Sequence, residues 1–239
     1  MQLTLLQEAL AATASGHSAA VATNLKSGLQ TLVQGTETKG NLILDPAVSK
    51  EIEAALRDDR STTVQTAEGP VFIEVFVPKL RCFIVGAVHI AQPLAQMAAL
   101  AGYAVTIIDP RSAFASELRF PGVTLSTEWP DEAFETLRPD RRTAVVTLTH
   151  DPKIDDPALT SALRSEAFYI GALGSRKTHA ARLGRLVKAG FDEPELARIH
   201  GPVGLSIGAL SPAEIAVSIL AQITAVLRAD RMKERQAAA

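Results

Sequence analysis

The sequence predicts an α/β fold: a parallel sheet with helices on both faces, preceded by a small α+β domain. Three observations predict it. After Pro78, short apolar runs such as Cys82–Val85 and Ala104–Ile108 alternate with helical patterns, as in sheets covered on both faces. Before Pro78 the runs are joined by tight Gly-containing turns, the sign of hairpins. The 239 residues are 47% hydrophobic and 21% charged, which suffices for a real core and excludes global disorder.

The elements follow in order. A helix is expected over Leu3–Ala14 and a strand over Ala19–Asn24. A Lys26-Ser27-Gly28 turn leads to a strand at Leu29–Val33. Asp45 and Pro46 are N-cap and first residue of a second helix, with Ile52, Ala55 and Leu56 on one face. Strands at Thr62–Thr66 and Val71–Val77, joined at Glu68-Gly69, complete a domain over residues 1–78.

Residues 79–239 form the second expected domain. Its strands are Cys82–Val85, Ala104–Ile108, Val123–Ser126, Ala144–Leu148 and Phe168–Ile170. Helices are expected at Ile90–Ala101, Asp131–Leu137, Pro157–Arg164 and Arg176–Ala189. Ser211-Pro212-Ala213-Glu214 is a capping box opening a long helix to about Lys233, and the tail from Gln236 should fray. The last helix carries a stripe, Ile215, Ile219, Gln222, Ile223, Val226 and Leu227, that must be covered.

Composition narrows the function. A formal net charge of −2 leaves no electrostatic footprint for nucleic acid. No apolar run reaches the ~20 residues of a membrane span. The amino terminus has no basic leader, and Cys82 is the only cysteine, so a disulfide framework is excluded and a reducing cytoplasm is expected. Cys82 starts a core strand and reads as a buried structural thiol.

In such sheets ligands bind outside the carboxyl ends of the strands. The residues there are Gly86 and His89 after the first strand and Asp109 and Arg111 after the second. Thr149, His150 and Asp151 follow the fourth, and Gly171, Gly174, Ser175, Arg176 and Lys177 the fifth. The loop before the last helix adds His200 and Gly204. Gly86-x-Val88-x-x-Ala91 is an altered dinucleotide fingerprint: Val88 puts a side chain where a pyrophosphate usually approaches backbone. Asp109 stands where a ribose-binding acid would, roughly 20 residues further on. The segment is either a site for a nucleotide-type ligand held differently from NAD or a strand–turn–helix without a ligand. His89 is either a donor to an oxyanion or a surface histidine. His150 with Asp151 is either an acid–base or anion-positioning pair or a turn and cap. Ser175, Arg176 and Lys177 at a helix start make the strongest phosphate candidate, against a plain N-cap with solvated cations.

The segments Phe83–Gln92, Ile108–Arg111, Leu148–Asp151, Tyr169–Arg176 and Ile199–Leu205 resemble the XdhC/CoxI family, accessory proteins of xanthine dehydrogenase and related molybdenum hydroxylases. The likeness runs in order over about residues 80–230. It implies a Rossmann-like C-terminal domain and an XdhC/CoxI-type N-terminal domain. It also implies binding of the molybdenum cofactor, as molybdopterin or its dinucleotide form, protection during sulfuration, and insertion into the large subunit of a hydroxylase. A cysteine desulfurase and a second copy of the chain are the further partners implied. On this reading the protein is a chaperone with no catalytic residue, and the metal's ligands are left open. The alternatives are an NAD(P)-dependent oxidoreductase, which Val88 opposes, and a docking subunit with no ligand. The sequence departs from the family pattern at Val88, Pro152 and Ser206, and residues 16–40 have no counterpart of the family's Ser-Gly-Gly-Cys-Val-Glu loop.

Overall fold

The computed structural model describes residues 2–229. Two compact units make up the chain, Met1–Pro78 and Lys79–Ala239.

In the first unit, helix α1 (Leu3–Ala14) leads to strands β1 (Ala19–Asn24), β2 (Gln30–Gln34) and β3 (Glu37–Gly40). Helix α2 (Pro46–Arg57) and strands β4 (Thr62–Thr66) and β5 (Gly69–Phe76) follow. The strands form one antiparallel sheet in the order β3-β2-β1-β5-β4. Successive strand residues face opposite sides. Ala20, Ala22, Val71 and Ile73 therefore pack on Val48, Ile52 and Ala55 of α2, while Ala19, Val21 and Leu32 pack on Leu5, Ala9 and Ala12 of α1. Asp45 caps α2 as expected, accepting from Val48 N at 2.8 Å. Strand β3 is an addition to the expected elements. Its Glu-Thr-Lys-Gly sequence is exposed throughout and carries no apolar signal; pairing with β2 alone defines it.

The second unit is the parallel sheet the sequence predicts. Its elements are β6 (Arg81–Val85), α3 (Ala91–Leu100), β7 (Ala104–Ile108), β8 (Thr124–Ser126), α4 (Pro130–Leu137), β9 (Thr143–Thr147), α5 (Pro152–Leu163) and β10 (Tyr169–Ala172). Then come α6 (Arg176–Lys188), α7 (Glu193–Leu196), β11 (Ile199–His200) and α8 (Pro212–Leu227). All six strands are parallel, in the order β11-β10-β9-β6-β7-β8. One face packs on α3 and α8 through Ile84, Ile107, Val146, Leu94, Ile219 and Ile223. The other packs on α5 and α6 through Phe83, Val145, Ile170, Leu159 and Leu186. The strand order reverses between β6 and β9, the place where open parallel sheets bind ligands at the strands' carboxyl ends.

Three expectations need correction. Helix α5 starts at Pro152 rather than Pro157, because Asp151 caps it, accepting from Lys153 N at 3.0 Å. Pro157 then sits in the second turn and costs one helical hydrogen bond. Strand β10 extends to Ala172, so Gly171 is inside the sheet and not in the loop. His200 belongs to a sixth strand, two residues long and too short to show a period. The apolar stripe of α8 is covered within its own unit, with Ile219 and Ile223 fully buried; the helix's expected extension to Lys233 and the tail lie outside the described residues.

Candidate functional site

The carboxyl ends of β7, β6, β9 and β10 carry one continuous set of contacts. It begins at Asp109, which is fully buried. Its Oδ2 accepts from Ala87 N at 2.7 Å and from Arg111 Nη2 at 2.8 Å. Its Oδ1 accepts from Arg111 N at 3.0 Å and Arg111 Nε at 2.9 Å. Burial alone would raise this carboxyl, but the Arg111 guanidinium and the two backbone N–H groups outweigh it and hold the group below the usual carboxylate range. Asp109 thereby ties the turn after β6 to the end of β7.

Gly86 ties that turn to β9. Its φ is 109°, and an added Cβ would stand 2.5 Å from Thr149 Cγ2 and 3.2 Å from Thr149 N. Only glycine permits this approach. Thr149 and His150 in turn rest on Asp155, in the first turn of α5. Asp155 Oδ1 accepts from Thr149 Oγ1 at 2.6 Å, and Oδ2 accepts from His150 N at 3.1 Å. These bonds hold His150 at a left-handed φ of 62°. Asp155 is buried, and desolvation raises its carboxyl against the opposing pull of Thr149 and Arg182.

Arg182, on α6, extends the set to β10. Only 1% of it is exposed. Its Nη2 donates to Leu173 O at 2.8 Å and lies 3.7 Å from Asp155 Oδ2. Gly174, at φ 145°, brings the backbone round to Ser175, whose Oγ accepts from Thr178 N at 3.1 Å and caps α6. Ser175, Arg176 and Lys177 are exposed at this helix start, as are His89, His150 and Asp151 on neighbouring turns. Val88 is half-buried against the α3 core.

The other expected residues have packing roles in this structure. A Cβ on Gly171 would stand 2.6 Å from Val203 Cγ2 and 2.8 Å from Tyr169 Cε1. Gly204, at φ 95°, lies against Ser218 of α8. His200 stacks on Tyr169 with centroids 4.8 Å apart, and burial lowers its pKa. Tyr169 Oη donates to Gln222 Oε1 at 2.6 Å, and the same oxygen accepts from Gly204 N at 2.8 Å. Cys82 is buried, its thiol pushed up to about 12.

Sequence reasoning missed Asp155, Arg182 and His179, and placed Gln222 on the covered stripe of α8 without its hydrogen bonds. Arg182 left one signal: it shares the buried face of α6 with Leu186, four residues on, where a cation is out of place. Among the described residues, the buried side-chain atoms without a hydrogen-bond partner are Thr147 Oγ1, His179 Nδ1, and Arg182 Nε and Nη1. All belong to the last residue of β9 or the first two turns of α6. Polar atoms buried this way call for water or ligand atoms. The exposed cations at the start of α6, rather than these enclosed atoms, are what suits an anionic ligand. Among the described residues no three His, Cys, Asp or Glu side chains converge as a protein-held metal would require.

Residues 82–223 match the family model of the XdhC Rossmann domain. The chain belongs to the XdhC family. It is 34% identical over 151 residues to the molybdenum cofactor insertion chaperone PaoD of Escherichia coli K12, covering 63% of this chain and 41% of PaoD. It is 35% identical over 154 residues to a Bacillus subtilis protein named as a probable component of xanthine dehydrogenase, covering 64% of this chain and 44% of that protein. An uncharacterized protein of E. coli K12, YqeB, is 36% identical over 160 residues, 65% of this chain and 29% of its own length. The match thus spans less than half the length of each of these relatives. The crystal structure of a protein described as a xanthine dehydrogenase from Bacillus halodurans superposes with a TM-score of 0.76, covering 97% of this chain and 68% of that one at 24% identity. That likeness establishes the fold. No helix among the described residues is long and apolar enough to cross a membrane.

Proposed function

We propose that this XdhC-family chain is an accessory protein that binds the molybdenum cofactor, shields it during sulfuration and passes it to the large subunit of a molybdenum hydroxylase such as xanthine dehydrogenase. The observation that carries the reading is the exposed Ser175-Arg176-Lys177 start of α6, joined through Arg182 and Asp155 to the Thr149–Asp151 turn. Free N–H groups at a helix start and an arginine fork suit a phosphate. His89, His150 and Asp151 would face the pterin or the oxygens on its metal, and no bond need be made or broken. The cofactor's own chemistry is exercised in the receiving enzyme. A cysteine desulfurase as sulfur donor, a cytoplasmic setting and a homodimer belong to the same proposal. The NAD(P) alternative is opposed by Val88 at the turn where a pyrophosphate approaches backbone, and NAD in particular by Asp109, whose four hydrogen bonds leave no acceptor for ribose hydroxyls.

The test is molybdopterin affinity and thermal midpoint for the wild type and Arg176→Ala. Loss of one charged hydrogen bond is worth roughly 1.5–3 kcal/mol, about 10- to 150-fold in affinity. The midpoint should barely move, since an exposed cation at a helix start slightly opposes the dipole. Unchanged affinity would refute the assignment of phosphate to this helix. A large fall in midpoint would make Arg176 structural.

A further inference from the structure

The turn after β7 has an arrangement that the phosphate site on α6 does not explain. In dinucleotide folds the acid at this place accepts the two ribose hydroxyls. Here the carboxylate is wholly buried, and Ala87 N and three donors of Arg111 occupy both its oxygens. A carboxylate offers about four lone-pair positions, so a ribose diol has nothing left to bind. What the acid does instead is lock Arg111. The fork is held through Nε and Nη2, so Nη1 takes no part in it, and the side chain is 40% exposed.

Arg111 also lies 4.8 Å from the ring centroid of Phe114, and Arg119 lies 5.9 Å from the same ring. Phe114 is 47% exposed, so part of its ring surface remains open. The corner is anchored: Ala115 and Phe120 are buried in the α3 core, Gln92 Nε2 donates to Arg119 O at 3.3 Å, and Arg119 Nη1 donates to Phe114 O at 2.8 Å. Among the described residues Arg119 has no carboxylate partner. Two guanidinium groups over a half-exposed aromatic ring, one of them held by a carboxylate, offer charge for a phosphate and a remaining ring surface for a base.

We propose that Arg111, Phe114 and Arg119 form a nucleotide subsite that reads phosphate and base and leaves the ribose diol unread. The proposal rests on the reading that a phosphorylated pterin lies across the strand ends, and it names the dinucleotide form as the ligand, with the nucleotide half on the β7 side. Because Asp109 is saturated, ribo- and deoxyribonucleotides bind alike, unlike the behaviour of a site whose acid holds the diol.

The experiment is calorimetry of the full chain with the 5′-monophosphates of adenosine, guanosine and cytidine, their 2′-deoxy counterparts, the unphosphorylated nucleosides and inorganic phosphate. The best monophosphate and its deoxy form should agree within about threefold. The nucleoside and inorganic phosphate should each bind about tenfold or more weakly, since each lacks one set of contacts. Arg111→Ala and, with Asp109 and Arg111 left intact, Arg119→Ala and Phe114→Ala should each weaken the nucleotide. A strong preference for the ribonucleotide, inorganic phosphate binding as tightly as the nucleotide, affinity unchanged in Phe114→Ala and Arg119→Ala, or no binding of any monophosphate would each overturn the subsite. Molybdopterin affinity that still depends on Arg176 would then leave the α6 site standing, so the two proposals fail separately.

Discussion

Gly86 and Gly122 both adopt positive φ, 109° and 72°, but only Gly86 has a neighbour that an added Cβ would strike. Gly122 faces open space, so Gly122→Ala bears backbone strain alone, about 1 kcal/mol. Gly86→Ala bears that strain and also pushes on Thr149, whose backbone N stands 3.2 Å from the new Cβ. It should cost about 2 kcal/mol or more, and urea midpoints for the two variants check the difference. Equal losses would mean that the Thr149 turn yields freely and does not depend on the turn after β6. Asp109 gives a second lesson at this scale. Its position at the end of β7 was legible in the sequence; its role was not. An acid at that place is open to a ligand or closed by its neighbours, and the choice depends on Ala87 N, 22 residues away, and on the fork of Arg111.

Among the elements, caps were the most legible feature. Asp45, Ser175 and Ser211 each accept from the backbone three residues on, an interaction written within four residues of sequence. Short strands were the least legible. Strand β3 exists through a hairpin with β2 and β11 through pairing with β10, and their four and two residues hold no period to read. Besides its apolar packing, helix α8 bonds both β10 and the loop after β11 through one side-chain oxygen. Gln222 Oε1 takes both Tyr169 Oη and Gly204 N. Tyr169→Phe removes one donor and leaves the other paired, so it should cost about 1 kcal/mol. Gln222→Leu strands two largely buried donors and should cost about 2–3 kcal/mol. Chemical denaturation of both variants checks the order. A Gln222→Leu loss no larger than that of Tyr169→Phe would show that Gly204 N finds another partner.

At the scale of the whole molecule the prediction concerns assembly. The apolar stripe of α8 is covered by its own sheet and by α3, so it does not call for a second copy; the homodimer we propose rests on the family resemblance. Light scattering over a tenfold range of concentration should return the mass of two chains, and a constant single-chain mass would refute it. By itself the sequence determined the alternation of strand and helix after Pro78, the parallel sheet that follows from it, and the edge at which polar turns gather. Those properties are local: a period, a cap or a glycine is decided by residues within one or two turns of each other. Only the tertiary structure decided that Gly171 and Gly204 make room for packing, that Arg182 and Asp155 lie buried beneath the exposed turns, and that Asp109 is closed while Arg111 is open. Burial and full saturation depend on atoms that meet across the sheet: Arg111 is a local partner of Asp109, but Ala87 N and the packing that buries the carboxylate come from 22 residues away and beyond.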